Sequence, residues 1–294
     1  MRKGSLRFFV LLLGSVSLAL VLWLSIQLEA KQQYFGGLQE LVPNVGNGRY
    51  VFNASGCAGC HRSPDGEDRL LLSGGSVLKT EYGEFYVPNV SMSIENGIGS
   101  WSLNDFANAL RLGVSPQNQH YYPSFPYTAY NKMKDQDLVD LWAFWKTLPI
   151  VEVQNNDHDL SAPYNLRAGL GVWKKMFLKS DFVGSDLEKR GRYLVEAMGH
   201  CAECHTSRNL FGGLKTDNWM KGGENPSGLG NVPNLLATVK KWSNEEMEEY
   251  LVSGFTPDFD VAGGHMAEVI ESTRLLSDDD RSAIYKYLKA LTND

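Results

Sequence analysis

Cysteine is scarce in this chain of 294 residues: four occur, as two close pairs, and none is left over. A disulfide framework spread along the chain is thereby excluded. Basic clusters are scarce as well. Lys and Arg number 28 against 34 Asp and Glu, for a net charge of -6, and the only local basic excess is Arg2, Lys3 and Arg7. No basic stripe neutralises phosphates, so nucleic acid is not expected as a partner. At 43% hydrophobic and 21% charged, the composition leaves no room for a disordered chain and suits one large domain or two small ones.

Charge is missing altogether from Phe8 to Leu28. About 20 apolar residues cross a bilayer as one helix, whereas the apolar part of a signal peptide runs to about 7–15. The exit, Gln27-Leu28-Glu29-Ala30, puts a large residue where cleavage wants a small one. Residues 1–30 are therefore expected to form an uncleaved transmembrane anchor rather than a cleaved signal. Basic residues precede the run, and Lys31 after it is offset by Glu29, which places the first residues in the cytoplasm and everything after residue 30 outside it.

The cysteines occur only as Cys57-Ala-Gly-Cys60-His61 and Cys201-Ala-Glu-Cys204-His205. Cys-x-x-Cys-His is the attachment pattern of haem c: two thioethers hold the porphyrin and the adjacent imidazole reaches the iron. A zinc site needs further ligands at His-x-His or Cys-pair spacing, and a thioredoxin-like pair belongs beside a βαβ pattern. Neither accompaniment is present. Two covalent haems are expected, on Cys57, Cys60 and His61 and on Cys201, Cys204 and His205, with His61 and His205 as axial ligands.

The motifs head two copies of one longer pattern. Gly48-Arg49-Tyr50 precedes the first as Gly191-Arg192-Tyr193 precedes the second, and Val87-Pro88-Asn89 follows the first as Val232-Pro233-Asn234 follows the second. Trp101-Ser102 and Trp242-Ser243 come next. Each serine can cap a helix, with Asp105 or Glu246 three residues on. Those helices run to Gly113 and Gly254, the left-handed stop. An aromatic helix closes each half, at Leu138 to Leu148 and at Asp280 to Leu291.

These residues, with Asn89-Val90-Ser91, Gly97-Ile98-Gly99-Ser100-Trp101, Tyr122-Pro123-Ser124-Phe125-Pro126-Tyr127 and Gly263-Gly264-His265-Met266, resemble the two-haem cytochrome c family that supplies membrane-attached subunits to periplasmic dehydrogenases of the alcohol, gluconate or molybdenum-hydroxylase type. The resemblance covers about residues 40 to 294. It implies an all-α fold: one N-terminal transmembrane helix, then two class I cytochrome c domains. Residues 1–30 would be the anchor, 31–150 the first domain, 151–185 an inter-domain segment too apolar for a free linker, and 186–294 the second domain. Gly48 and Gly191 would let the first helix of each domain cross closely over the last, against Trp142, Phe144, Tyr285 or Tyr287.

Such a family usually sets a methionine opposite the histidine. Met266, in a glycine-rich loop twelve residues after Gly254, fills that place for the second haem, while Met176, Met198, Met220 and Met247 are expected to pack. The same count from Gly113 reaches Phe125, which cannot bind iron. For the first haem, His120 is the first candidate, then Met92 and Met133, then an open site. The expected role is electron transfer at the outer face of the bacterial inner membrane, from a periplasmic dehydrogenase or a quinone-linked donor to a terminal oxidase or soluble carrier. The alternative is a haem enzyme acting at an open first haem on peroxide or a small oxyanion.

Overall fold

The computed structural model describes residues 30–184, 186, 188–225 and 230–293, together with 14, 15 and 17. In the first domain the helices are α1 (Val45–Ala54), α2 (Cys57–His61), α3 (Leu103–Leu112), α4 (Tyr127–Tyr130) and α5 (Asp135–Trp145). A further helix, α6 (Gly169–Phe177), lies in the inter-domain segment. The second domain repeats the plan. It has α7 (Lys189–Tyr193), prolonged by a wider π turn over Leu194–Met198, then α8 (Ala202–His205), α9 (Leu235–Lys241), α10 (Asn244–Ser253), α11 (His265–Thr273) and α12 (Asp278–Ala290).

Local chemistry accounts for the boundaries. The Ser102 hydroxyl accepts from the Asp105 amide while the Asp105 carboxylate accepts from the Ser102 amide, and Ser243 and Glu246 do the same. These capping boxes satisfy donors that the first turn leaves open. Gly113 at φ 59° and Gly254 at φ 80° end the same two helices in the left-handed region, where a side chain is strained. The crossing glycines act as their positions imply. A Cβ on Gly48 would stand 1.9 Å from the Asp140 carbonyl oxygen, and one on Gly191 would stand 2.0 Å from that of Ala283. Only a hydrogen fits between the first and last helix of each domain. Phe144, Trp142 and Tyr287 are buried around these crossings.

Two expectations need correction. The fold is mainly helical but not all-α. Strands β1 (Val77–Thr80), β2 (Gly83–Tyr86) and β3 (Asp159–Leu160) form an antiparallel sheet in that order, with Val77 opposite Tyr86 and Gly83 opposite Leu160. A second pair joins β4 (Gly223–Glu224) to β5 (Asn231–Val232). The β-branched and aromatic residues of Val77-Leu-Lys-Thr and Glu84-Phe-Tyr, turning at Gly83, suit a hairpin. The backbone of Gly83, at φ 126°, lies so close to Asp159 that a Cβ would stand 2.3 Å from its carbonyl oxygen.

The transmembrane helix is likewise not supported. Among the described residues no helix is long and apolar enough to cross a membrane. The longest, α12, has 13 residues, against the roughly 20 that a bilayer demands. The run from Phe8 to Leu28, apart from Gly14, Ser15 and Ser17, lies outside the described residues.

The two domains meet through reciprocal contacts. Tyr50 of α1 hydrogen-bonds Asp280 of α12, and its counterpart Tyr193 of α7 donates to Asp137 of α5 at 2.6 Å. The amide of Ser277 donates to the Tyr50 oxygen at 3.2 Å, and that of Lys134 to the Tyr193 oxygen at 3.0 Å. Each domain thus sends the tyrosine of its Gly-Arg-Tyr triplet to the start of the other's last helix. This is the self-complementary pattern of a two-fold interface, here built within one chain.

Within residues 151–184 the chain touches both domains. Asn89 donates to the carbonyls of Val151 and Val153, and β3 extends the first domain's sheet. Trp173 donates to the Phe211 carbonyl of the second domain at 2.8 Å.

Candidate haem sites

Each Cys-x-x-Cys-His motif lies at the end of its domain's first helix. Gly56, at φ 64°, turns the chain between α1 and α2. In the second domain the π turn ends at Gly199, and the Cys201 amide bonds the Val195 carbonyl. The short helices α2 and α8 then carry the histidines.

Both imidazoles are oriented by the same device. His61 Nδ1–H donates to the Pro88 carbonyl at 3.0 Å, and His205 Nδ1–H to the Pro233 carbonyl at 2.8 Å. A carbonyl can only accept, so Nδ1 holds the proton and Nε2 keeps its lone pair for a metal. Burial lowers the pKa of both rings, against the opposing hydrogen bond to the proline carbonyl, and keeps them neutral, as a ligand must be. The repeated Val-Pro-Asn triplets therefore have a role that sequence left unread: they supply the carbonyl that sets the tautomer. Asn89 anchors the first triplet to Val151 and Val153, whereas Asn234 caps α9 by accepting from the Ala237 amide.

None of the four cysteines is in a disulfide. Burial, then the neighbouring Cys60, pushes Cys57 up to about 12; burial, then Cys204, does the same to Cys201. Cys60 rises to about 11 through burial, with Cys204 and Glu268 adding to it. Among the described residues no group of three or more His, Cys, Asp or Glu is arranged to hold a metal ion by itself. The donor set fits an iron that arrives inside a porphyrin: two thiols for thioethers and one pre-oriented neutral imidazole in each domain.

The structure brings the two motifs together. Gly59 of α2 faces Glu268 of α11, where a Cβ would stand 3.3 Å from that of Glu268. Glu203 of α8 accepts from Thr128 of α4 at 2.5 Å. Arg62, next to His61, bonds Glu268 at 2.6 Å, and Arg69 donates to Ser272 at 2.9 Å. Tyr130 donates to the Ser55 carbonyl at 2.8 Å and meets the His200 ring edge-on at 5.6 Å. It therefore spans the residues just ahead of both attachment motifs. Nothing in a one-dimensional repeat announces this contact.

The sixth-ligand candidates are placed as follows. Met266 is the second residue of α11, after His265, and is partly buried against the core. Phe125, its counterpart, lies among the rings of Tyr121, Tyr127 and Tyr130 at 5.9–6.3 Å. His120 is buried on a hairpin rather than in the Phe125 loop, with Nδ1 3.1 Å from Lys174 Nζ. Burial holds that lysine down to about 7. Met133 is buried in the core and Met92 packs at its edge. Met198, Met220 and Met247 are buried, while Met176 is exposed on α6.

Comparison with known proteins adds to this geometry. The family model described as Cytochrome c matches residues 45–149. The chain is 48% identical over 274 residues to a protein of Cereibacter sphaeroides named diheme cytochrome c-type, covering 91% of this chain and 92% of that one. It is 34% identical to the fructose dehydrogenase cytochrome subunit of Gluconobacter japonicus, over 85% of this chain and 53% of the relative. It is also 34% identical to the cytochrome c subunit of a quinone alcohol dehydrogenase of Gluconobacter oxydans, over 84% and 54%. The chain thus spans nearly the whole of the first relative and about half the length of the two dehydrogenase subunits.

Proposed function

Since the chain belongs to the cytochrome c family, and so binds haem c covalently and transfers electrons, we propose that it is a two-haem relay on the periplasmic side of a bacterial inner membrane, working beside a dehydrogenase. The observation that carries this reading is the packing of each attachment motif against the other domain, Gly59 on Glu268 of α11 and Glu203 on Thr128 of α4. Haem iron, when bound, takes up and gives back one electron between its ferric and ferrous states. The chain's part is to hold each porphyrin by two thioethers, to present a neutral Nε2 from His61 and His205, and to fix the two sites against each other. Met266 is proposed to complete the second site.

The names of the fructose and alcohol dehydrogenase subunits support a dehydrogenase as the electron donor. A terminal oxidase or a soluble carrier is the proposed acceptor. Purifying the holoprotein with its bound partners from native cells and adding sugar or alcohol substrates tests this. Reduction of both haems by the complex, and by no substrate once the partner is stripped, is the expected result. Haems that stay oxidised with every such substrate, while a quinol reduces them, would move the donor to the quinone pool.

A further inference from the structure

Each domain carries the same hairpin after its capped helix. The Val114–His120 and Phe255–Val261 bridges close it. The Ser115 amide bonds the Gln119 carbonyl at 2.9 Å as that of Thr256 bonds Asp260 at 2.8 Å, and Tyr121 bonds Gly113 as Ala262 bonds Gly254. Asn118 at φ 57° and Phe259 at φ 63° occupy the same left-handed corner.

What lies over the two hairpins differs. On the first, α6 is docked: Lys174 Nζ donates to the carbonyls of Leu112 and Gly113 at 2.7 and 2.6 Å and lies 3.1 Å from His120 Nδ1. Arg167 donates to the His120 carbonyl at 3.0 Å. Under this cover Val114 is 3% and His120 8% exposed. The second hairpin is bare. Phe255 is 55%, Val261 59% and Phe259 91% exposed. Phe259 combines a left-handed backbone, which disfavours a bulky side chain, with an aromatic ring left in water. The charge around it has one sign: residues 242–273 contain no Lys or Arg, while Glu245, Glu246, Glu248, Glu249, Asp258 and Asp260 precede or lie on the hairpin. The hairpin leads directly into Gly263-Gly264-His265-Met266.

We propose that the hairpin 254–262 is the docking surface for a basic electron-accepting protein, which lays a lysine-bearing patch on Phe255, Phe259 and Val261 as α6 lays Lys174 on the first hairpin. The internal repeat supplies the precedent for the chemistry of the cover, and the acidic surround selects a cation-rich partner and speeds its encounter. This rests on the electron-transfer reading.

The test is stopped-flow oxidation of the reduced full-length holoprotein by a soluble basic cytochrome c as probe, with hexacyanoferrate(III) as a small oxidant. Two variants are compared with the unmodified protein: Phe259→Asn, which takes the residue that the first hairpin tolerates in the same corner, and Asp258→Lys with Asp260→Lys. Each is expected to slow the second-order reaction with the probe at least tenfold with haem spectra unchanged; Phe259→Asn should leave the hexacyanoferrate rate unchanged, and the charge variant should not lower it. The charge variant should also flatten the dependence on ionic strength. Oxidation of either variant by the probe at the unmodified rate, or an unmodified rate that salt does not alter, overturns the proposal. A holoprotein that not even hexacyanoferrate oxidises would instead fail the electron-transfer reading beneath it.

Discussion

Replacing Met266 with Ala should abolish the weak far-red band that thioether ligation gives to ferric haem, turn the second haem high-spin and open it to carbon monoxide, with its potential lowered and the first haem unchanged. The expectation rests on position. Met266 lies in the first turn of α11 and is partly buried, while α11 is pinned to the other domain by the Arg62–Glu268 ion pair and by Arg69 on Ser272. A full-strength band in the variant would remove Met266 from the site. The same experiment run on the first domain is a choice among residues, because Phe125 stands where Met266 does and its hydrocarbon ring offers iron no lone pair. His120→Ala, Met92→Ala and Met133→Leu are to be compared, and the variant that makes the first haem high-spin identifies its ligand. Lys174 already engages His120 Nδ1. If no variant changes the spectrum and the unmodified first haem binds carbon monoxide, the site is open.

The double substitution Tyr50→Phe, Tyr193→Phe should split one cooperative unfolding transition into two. Both hydroxyls hydrogen-bond a carboxylate across the domain interface, and a bond to a charged group contributes about 1.5–3 kcal/mol. The two bridges use different carboxylates, Asp280 and Asp137, and Arg190 acts on both, so their losses are coupled. Calorimetry of the holoprotein, read beside absorbance of each haem, distinguishes a single from a double transition. The acid dependence follows from Asp280. Burial pushes its pKa up, but Arg190 and Tyr50 outweigh burial and hold the carboxyl below its ordinary value. A depressed folded pKa stabilises the interface at pH above the unfolded value, about 3.9, and that contribution fades as the pH falls through the folded value. The interface should therefore weaken only below about pH 4, and Asp280→Asn should remove that dependence. A single transition in the double variant, at unchanged temperature, would show that the tyrosine bridges do not hold the domains together.

Local chemistry was legible in the sequence wherever a short pattern dictates it. The attachment motifs, the serine caps at Ser102 and Ser243, the stops at Gly113 and Gly254 and the crossings at Gly48 and Gly191 each depend on residues close to one another or on a steric requirement that only glycine meets. The hairpin of β1 and β2 was not anticipated: four-residue strands between helical repeats are too short for alternation to stand out, and the all-α expectation fails there. The relation between the domains was not legible. Tyr50 and Tyr193 mark the repeat without showing that each crosses to the other copy, and Val-Pro-Asn shows no sign that its proline carbonyl orients a histidine. The setting of His120 is decided by Lys174, far along the chain, which the sequence around His120 does not reveal. The apolar run at the N-terminus satisfies the length criterion for a span, yet no described helix does.

The central claim is that both motifs carry haem, bonded through Cys57 and Cys60 and through Cys201 and Cys204. Intact mass of the purified holoprotein after acid–acetone extraction tests it most directly. The account predicts the polypeptide plus two haems, reduced to one by Cys201→Ala with Cys204→Ala; a mass that shows a single haem or none in the unmodified protein would contradict it.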